Sequence, residues 1–343
     1  MQLRIFITFL LVCAVAIADT AAQSVSKTGT TAGAFLSIPV GARSAALGGA
    51  VAASVNDPSA MRWNPGALTS MQQPTVMLDH ADWLHVLRHS YLGIVLPVNG
   101  NSALGLNITA LTMDDMEETT FDEQDGTGRM FGAHSYAAGI SYAIRLLPNF
   151  SLGANVKFIN ETIWNTSAQG VAFDIGTTYV TPFDGIVFGV GVTNFGQKFR
   201  MDGDDLLVTV DVDGTSQGNH SQIPANLDTD RFDLPLALRA GLMWHAYNTE
   251  PLRLTVMADG HSPSNNYQSV SFGAEVAFLD ELILLRGGIP EIGLPEEDRM
   301  FEFALGAGLG YSFGNNLGLK FDYAYQQHKF LGGTNRISVS VAF

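Results

Sequence analysis

The sequence predicts an all-β protein, a transmembrane antiparallel β-barrel of about 14 strands with an N-terminal hatch segment in the lumen. Three observations predict it: a two-residue alternation that runs from residue 75 to the end, connections that alternate between short and long, and a low charge content. The chain has 343 residues, of which 15% are charged, 46% are apolar and 36 are glycine. Abundant glycine and aromatic residues with little charge favour a barrel over a soluble helical protein.

The alternation is clearest in residues 300–313. One face carries Phe301, Phe303, Leu305, Ala307, Leu309, Tyr311 and Phe313, and the other carries Glu302 and small residues. A period of two is the signal of a β-strand. In a soluble sandwich the apolar face would meet a second sheet, whereas in a membrane barrel it meets lipid.

The connections decide between these two folds. We expect strands at about residues 75–83, 90–98, 102–112, 134–146, 150–161, 170–181, 184–195, 233–246, 251–260, 269–278, 281–288, 300–313, 317–326 and 335–343. Tight turns such as 99–101 and 314–316 alternate with long segments such as 113–133 and 196–232. Short periplasmic turns and long extracellular loops are typical of outer-membrane barrels, so the sequence favours a barrel.

We expect three parts: a signal peptide (1–23), an N-terminal arm and hatch (24–72) and an outer-membrane β-barrel (73–343). Arg4 precedes a short apolar core that contains Cys13, the sole cysteine, and small residues suited to cleavage follow. The mature chain would then have no thiol. Export, the barrel pattern and a terminal aromatic residue, Phe343, predict the outer membrane of a Gram-negative bacterium.

Residues 34–71 differ from the rest of the chain, because they are rich in alanine and are interrupted by proline and glycine. About 14 strands enclose a wide lumen, so we expect this segment to enter from the periplasmic side and to fill the barrel; a disordered periplasmic arm is the alternative. Arg43 is a lone charge within the segment and needs a partner if buried. The candidate lumenal partners are Asp174, Glu275, Glu302 and Asp322; the alternative is an exposed arginine.

The sequence gives no sign of an enzyme or of a cofactor. The net charge of −15 argues against nucleic acid, since phosphate binding needs basic patches. No histidine spacing typical of a metal site occurs, and the residues from Asp211 to Gly214 match a calcium loop poorly. Outer-membrane lipid and lipopolysaccharide are the expected partners.

Residues 35–68 resemble the N-terminal signature of the PorV/PorQ family of outer-membrane proteins. The matching hatch motif includes Pro39, Gly41, Arg43, Gly48, Gly49, Asp57, Trp63, Asn64 and Pro65. The resemblance implies an accessory role in surface protein export like that of type IX secretion, with secretion-system components or exported proteins as partners. The family in turn resembles the FadL fatty-acid transporters, which have fourteen strands and an N-terminal hatch with an Asn-Pro-Ala motif; here Gly66 stands at the third position.

Two functions therefore follow. The first is the export accessory, and the alternative is a FadL-like transporter of hydrophobic small molecules across the outer membrane. A transporter needs an apolar pocket at the hatch and a lateral opening in the wall, whereas an export accessory needs neither.

Overall fold

The structure, a computed structural model, describes residues 27–183, 185–211, 223–313 and 317–343. The predicted signal peptide and the predicted turn at 314–316 lie outside these residues. The strands are β1 (Thr75–Asp82), β2 (Leu87–Asn99), β3 (Ser102–Met113), β4 (Met116–Glu117), β5 (Met130–Phe131), β6 (Ala133–Leu147), β7 (Phe150–Ile163), β8 (Thr166–Val180), β9 (Ile186–Gly196), β10 (Asp202–Gly203), β11 (Leu207–Val210), β12 (Ile223–Asn226), β13 (Ala237–Thr249), β14 (Leu252–Pro263), β15 (Ser269–Phe278), β16 (Ile283–Ile292), β17 (Phe301–Phe313), β18 (Leu317–His328) and β19 (Gly332–Ala342).

Within the described ranges, fourteen of these strands form one closed antiparallel barrel, as predicted. Each long strand pairs with the next long strand along the chain, and β19 closes the ring on β1 with Ala342 opposite Thr75. The five short strands belong to the long connections: β4 pairs with β5, β11 pairs with β12, and β10 extends the edge of β8. We had expected only loops there, because two-to-four-residue strands are too short to produce a visible alternation.

The two faces of the wall follow the predicted alternation. In β17 the side chain of Leu305 is 54% exposed and that of Ala304 is 1% exposed. The exposed set is dominated by large apolar side chains, and an apolar outer band is what a lipid-facing barrel surface requires. Among the described residues, no helix is both long and apolar enough to cross a bilayer.

In the part of the chain that the structure describes, the predicted phase fails at the start of β17. The β17–β18 pairing shifts register between Phe301 and Phe303, which is a bulge at Glu302. A bulge turns the residues before it to the opposite face. Phe301 is therefore buried inside the barrel rather than facing lipid, and Glu302 is exposed rather than lumenal.

The segment before β1 has short helices. They are a 3₁₀ turn (Ala34–Ser37), helix α1 (Ala42–Ala46), helix α2 (Ala60–Trp63) and a second 3₁₀ turn (Pro65–Ser70); two more 3₁₀ turns lie in the outer connections (Asp204–Leu206 and Glu296–Asp298). The turn at 65–70 begins with a capped end, since the Asn64 side chain accepts a hydrogen bond from the Gly66 amide and Pro65 occupies the first position.

We name residues 34–71 the hatch segment. Nearly all of it is buried, and its apolar side chains belong to three clusters, the largest of which includes inward-facing residues of the barrel such as Tyr91, Val95 and Met257. Its C-terminal end joins β1 at the end of the barrel with the short turns.

The start of the hatch segment lies elsewhere than we predicted. The amides of Lys27 and Ala32 donate to the carbonyls of Asn265 and Asp233, which belong to long connections. The Gly33 amide donates to the carboxylate of Glu161. Residues 27–38 therefore lie at the long-loop end, and the segment crosses the lumen from there to the short-turn end. The expectation that the segment enters from the periplasmic side was wrong for these residues. Its position before β1 determines only the end of the barrel at which the segment joins that strand, and not the end at which the segment begins.

Candidate functional site

Glycines line the wall where the hatch segment touches it. They are Gly93, Gly105, Gly153, Gly176, Gly189, Gly191, Gly241, Gly273, Gly288 and Gly306, and they come from both halves of the barrel. A Cβ at Gly153 would overlap the carbonyl of Pro65, and one at Gly288 would overlap the backbone of Leu47. Absence of side chains lets the two backbones meet, which is a common use of glycine in strands.

The motif Asn64-Pro65-Gly66 fits into this glycine surface. The Asn64 side-chain amide donates to the carbonyl oxygens of Ala52 and Thr177, at 2.6 and 2.9 Å. It therefore ties two parts of the hatch segment together and both to β8. Gly66 lies so close to Gly176 that a Cβ there would overlap the wall backbone. Alanine at this position would not fit without movement, which accounts physically for the departure from Asn-Pro-Ala.

Arg43 is held by a buried charge network at the short-turn end of the lumen. Its Nε lies 3.0 Å from Oε2 of Glu275, and its Nη1 donates to the Ser54 carbonyl at 3.0 Å. Arg286 bonds the same Glu275 oxygen at 2.7 Å and also bonds Asp322 at 2.5 Å. Burial lowers the pKa of Arg43, but the attraction of Glu275 outweighs it, so this pKa is raised. We name Arg43, Glu275, Arg286 and Asp322 the fastening network.

The other candidate partners do not contact Arg43. Asp322 belongs to the fastening network through Arg286, whereas Asp174 bonds Lys157 at 2.8 Å on the opposite wall. Glu302, proposed as a lumenal partner, lies on the exposed face and was wrong as a candidate, because the bulge in β17 changes its phase.

Sequence reasoning missed two lumenal carboxylates, Asp79 and Asp259. Asp79 forms an ion pair with Arg336, and both side chains are fully buried. Asp259 accepts the Ala52 amide of the hatch segment at 2.7 Å. Strand phase could have found all of these, since Asp79 and Asp259 alternate with lipid-facing neighbours as Asp174 does.

The remaining motif residues serve the hatch segment's own folding. Gly41, Gly48 and Gly49 have positive φ angles of 88°, 64° and 78°, which favour glycine. Asp57 accepts the Ser59 amide at 2.8 Å. Trp63 donates its indole N–H to the Val40 carbonyl at 2.8 Å, and Pro39 lines the cavity described next.

A cavity of about 400 Å³ lies between the hatch segment and the long-loop end of the barrel. We name it the loop-side chamber. Its apolar and aromatic lining includes Phe35, Trp63, Trp83 and Phe301, and its polar lining includes Arg62, Asn194, Arg239, His261, Glu291 and Gln326. A mostly apolar cavity with a few polar groups is the usual form of a small-molecule site.

Two arginines of the chamber lie at Trp63. The guanidinium carbons of Arg239 and Arg62 lie 4.8 and 5.8 Å from the centre of its ring. Arg62 is 9% exposed, and burial lowers its pKa. Within the described parts of the chain neither arginine forms an ion pair, and Arg62 Nη1 and Arg239 Nε are buried without a hydrogen-bond partner.

The wall beside the chamber is irregular. The β15–β16 pairing shifts register at Ser271, opposite Pro290 and Glu291, and Glu291 has a φ of 58°. The β16–β17 ladder has six residue pairs and stops at Gly288–Ala304. Beyond it the Glu291 carboxylate accepts the amides of Met300 and Phe301. Beside the chamber, β16 and β17 are therefore connected by the Glu291 side chain and not by a strand ladder.

An outward-facing recess of about 350 Å³ lies on the lipid side of this region. It is lined by Leu238, Ala240, Gly260, His261, Ser262, Gln268, Ser269, Val270, Ile292 and Gly293. His261 and Ser269 line both the recess and the chamber. The two spaces therefore lie on opposite sides of the same stretch of wall.

A third space opens at the short-turn end. This vestibule of about 770 Å³ is bordered by Arg43, by residues 70–73 and by turn residues such as Glu281. Between the vestibule and the chamber lies the hatch segment. In the described ranges no cluster of histidine, cysteine or acidic residues has the geometry to hold a metal ion.

Comparison with known proteins identifies the class of fold. The model of an uncharacterised protein family (UPF0164) matches residues 11–180, slightly less than half of the chain. A search of curated proteins found no matching sequence.

Solved structures cover nearly the whole chain. A FadL homologue from Pseudomonas aeruginosa superposes with a TM-score of 0.52 and 14% identity, over 89% of this chain and 98% of that one. The toluene transporter TodX from Pseudomonas putida gives 0.57 and 13%, over 88% and 98%. The toluene transporter TbuX from Ralstonia pickettii gives 0.51 and 16%, over 88% and 97%. At these identities the likeness shows the fold, and this chain has a FadL-like barrel.

Proposed function

We propose that this protein is a FadL-like conduit that passes hydrophobic small molecules across the outer membrane. The observation that carries the proposal is the loop-side chamber next to a wall recess, with His261 and Ser269 as shared lining. A conduit needs an apolar pocket at the hatch and a lateral opening in the wall; the chamber is such a pocket, and the recess beside it is where we propose that the wall opens. The toluene transporters among the structural neighbours support the same class of cargo.

The route has three steps. A hydrophobic molecule enters the chamber at the long-loop end and is held above the hatch segment by its aromatic lining. It leaves into the bilayer through the recess, where the interrupted β16–β17 ladder and the bulge at Ser271 weaken the wall. Because the hatch segment fills the cross-section below the chamber, this lateral exit avoids displacing it.

Transport of labelled toluene into cells or vesicles carrying the protein tests the proposal. We expect uptake to exceed that of vesicles without it, and Gly260→Trp to abolish the difference by filling the recess. Gly260 faces outward, and a Cβ there meets only the Ala240 carbonyl at 3.8 Å, so the change leaves the fold intact. The matched control is Ala110→Trp, since Ala110 lines a separate outward recess of about 380 Å³ that shares no residue with the chamber.

Two results contradict the proposal: uptake no faster than in empty vesicles, or equal inhibition by both tryptophans. The alternative role as an accessory of type IX-like secretion depends on the resemblance of residues 35–68, and it stays a prediction. It would be supported by copurification of secretion components with the detergent-extracted barrel, together with absence of toluene uptake.

A further inference from the structure

Three polar side chains meet on the outward face of the barrel, near the long-loop ends of β1 and β2. His80 and Asp82 alternate with buried residues along β1, and Ser90 lies directly opposite His80 in β2. The Nδ1 atom of His80 lies 3.0 Å from the Ser90 hydroxyl oxygen, and its Nε2 atom lies 3.6 Å from Oδ1 of Asp82. A hydroxyl, an imidazole and a carboxylate in this order can activate a serine for attack on an ester.

Strand pairing alone brings these side chains together. Residues two apart in a strand point to the same face, which places His80 and Asp82 side by side. Directly opposed residues have Cβ atoms about 4.5–5.5 Å apart, which lets the imidazole reach the Ser90 hydroxyl. No sequence motif marks the three residues, because Ser90 follows His80 by ten positions and only the register of β1 and β2 determines their contact.

His80 and Ser90 open onto an apolar recess in the outer surface of the wall, which we name the β1–β2 recess. It has a volume of about 380 Å³, and its apolar lining includes Leu78, Leu92, Ile108, Ile337 and Val339. These side chains belong to the lipid-facing set, in which Leu78 is 59% exposed and Ile108 is 47% exposed. The β1–β2 recess therefore lies in the surface that touches the acyl chains of lipid.

The depth of the three polar residues corresponds to that of a lipid ester bond. Asp82 is the last residue of β1, so His80 lies about 7 Å from the strand end. The Tyr323 hydroxyl donates to Asn335, which is opposite Asp82 in β19, and outward aromatic residues mark the membrane interfaces of barrels. Lipid esters lie at this boundary between the hydrocarbon core and the headgroups.

We propose that this protein is also a lipid esterase, in which Ser90 is the nucleophile, His80 is the general base and Asp82 is a positioning residue for the imidazole. The substrate is an acyl ester of a lipid in the outer leaflet, and its acyl chain occupies the β1–β2 recess. This activity goes beyond the conduit function and does not depend on it, because none of the three residues lines the loop-side chamber.

The reaction is hydrolysis of the ester through an acyl-enzyme. Ser90 Oγ attacks the carbonyl carbon, and its proton passes to Nδ1 of His80. The bond to the alcohol oxygen then breaks, and the departing lysolipid takes the proton from His80. Water attacks the acyl-serine with His80 as its base, which releases the fatty acid and restores the Ser90 hydroxyl.

Arg88 can stabilise the negative charge that develops on the carbonyl oxygen. It lies two residues from Ser90 on the same face of β2, and it bonds Asp114 in this structure. Two residues span about 7 Å of strand, which a guanidinium side chain can bridge. A cation directed at the oxyanion lowers the barrier to attack by the serine.

Release of labelled fatty acid from phosphatidylethanolamine by the detergent-solubilised full chain tests the inference. We expect Ser90→Ala and His80→Ala each to lower the rate by about 100-fold or more, because the nucleophile or its base is lost. Asp82→Asn should lower kcat by about tenfold or more and change KM by less than about twofold, since Asp82 acts on His80 and does not touch the lipid. A purely structural role of Asp82 would not separate kcat from KM in this way.

Thr162→Ala is the matched control. Thr162 of β7 is directly opposite a histidine, His134, as Ser90 is opposite His80, but its hydroxyl accepts a hydrogen bond from Asn160. Its loss should change the rate of hydrolysis by less than about twofold.

A fluorophosphonate that reacts with activated serines gives a second readout on the wild-type chain, so the test does not depend on the folding of any variant. We expect mass spectrometry of the peptides to find the label at Ser90. A label on another residue in place of Ser90, or equal hydrolysis by Ser90→Ala and the wild type, overturns the inference. So does a wild-type protein that releases no fatty acid; toluene uptake by that protein would leave the conduit function standing.

Discussion

The two ends of the lumen use arginine in opposite ways. At the short-turn end, the fastening network joins Arg43 of the hatch segment to Glu275, Arg286 and Asp322 of the wall through ion pairs of 2.5–3.0 Å. At the long-loop end, Arg62 and Arg239 lie at Trp63 without an ion pair among the described residues. Paired charges fix one structure, whereas unpaired buried charges retain the capacity to bind something else.

The same contrast applies to the walls. Among β15, β16, β17 and β18, which surround the fastening network, the pairings are unbroken at the short-turn end, and β17 pairs with β18 down to Phe313. Around the chamber, the β16–β17 ladder ends early and a carboxylate bridges the gap. The hatch segment is thus attached by ion pairs to unbroken strands at one end and borders interrupted strands at the other. The second region is where the proposed conduit would release its cargo.

The largest expected difference in unfolding free energy is between two variants that each remove one charge, one at each end of the lumen. Glu275→Gln leaves Arg43 and Arg286 buried beside a neutral group, and breaking a buried pair in this way costs about 3–5 kcal/mol of unfolding free energy. Arg62→Met removes a buried cation that has no acidic partner, so it should change the unfolding free energy by less than about 1 kcal/mol or raise it. Urea unfolding of the detergent-solubilised variants measures both.

Glu302→Gln serves as control for the first change, because Glu302 is exposed and the loss of its charge should have little effect. Equal destabilisation by Glu275→Gln and Arg62→Met would mean that the charges at the two ends of the lumen contribute equally to stability, contrary to the contrast drawn here between paired and unpaired arginines.

A smaller effect is expected where the hatch segment touches the wall. Gly153→Val places a side chain against the Pro65 backbone, and overpacking of this kind costs about 1–3 kcal/mol. Gly287→Val is the matched control, since a Cβ at Gly287 meets only Leu305 at 3.7 Å on the lipid side. Unfolding free energy and single-channel conductance in planar bilayers report the two consequences, destabilisation and displacement of the hatch segment. Unchanged values for Gly153→Val would show that the hatch segment does not press on β7.

Most of the barrel was predictable because its signal is periodic and local. The alternation through residues such as Leu305 and Leu309 gave strand positions that agree with the structure to within a few residues, and β15 agrees at both ends. The fourteen-strand count followed from the same alternation, and the alternating connection lengths favoured a barrel over a sandwich. The cap at Asn64 is local in the same way, since Asn64 and Pro65 are neighbours in the chain and together determine how the turn begins.

The features that the sequence did not predict depend on contacts between residues that are far apart in the chain. The bulge at Glu302 depends on the pairing partner in β18, so phase alone assigned Phe301 and Glu302 to the wrong faces. Among four candidate partners for Arg43, only the three-dimensional path of the hatch segment selects Glu275. Arg62 was not among the candidate residues, because the lack of an acidic partner is a property of the folded lumen and cannot be read from the sequence.

The smallest expected effect is on the pH dependence of stability, through Glu281 at the short-turn end. Glu281 lies in the turn between β15 and β16 and bonds Arg253 at 2.6 Å and Lys320 at 3.1 Å. Burial acts to raise the pKa of Glu281, but the attraction of Lys320 and Arg253 outweighs it, so this pKa is lowered in the folded state. A carboxylate with a lowered folded pKa stabilises the fold above its unfolded pKa of about 4.3, and this contribution is lost as the pH falls through the folded value. Glu281→Gln should therefore lower the unfolding temperature slightly at pH 7, with a gap to the wild type that narrows below about pH 4. A gap that stays constant across that range would mean that these ion pairs do not act on Glu281 in the folded protein.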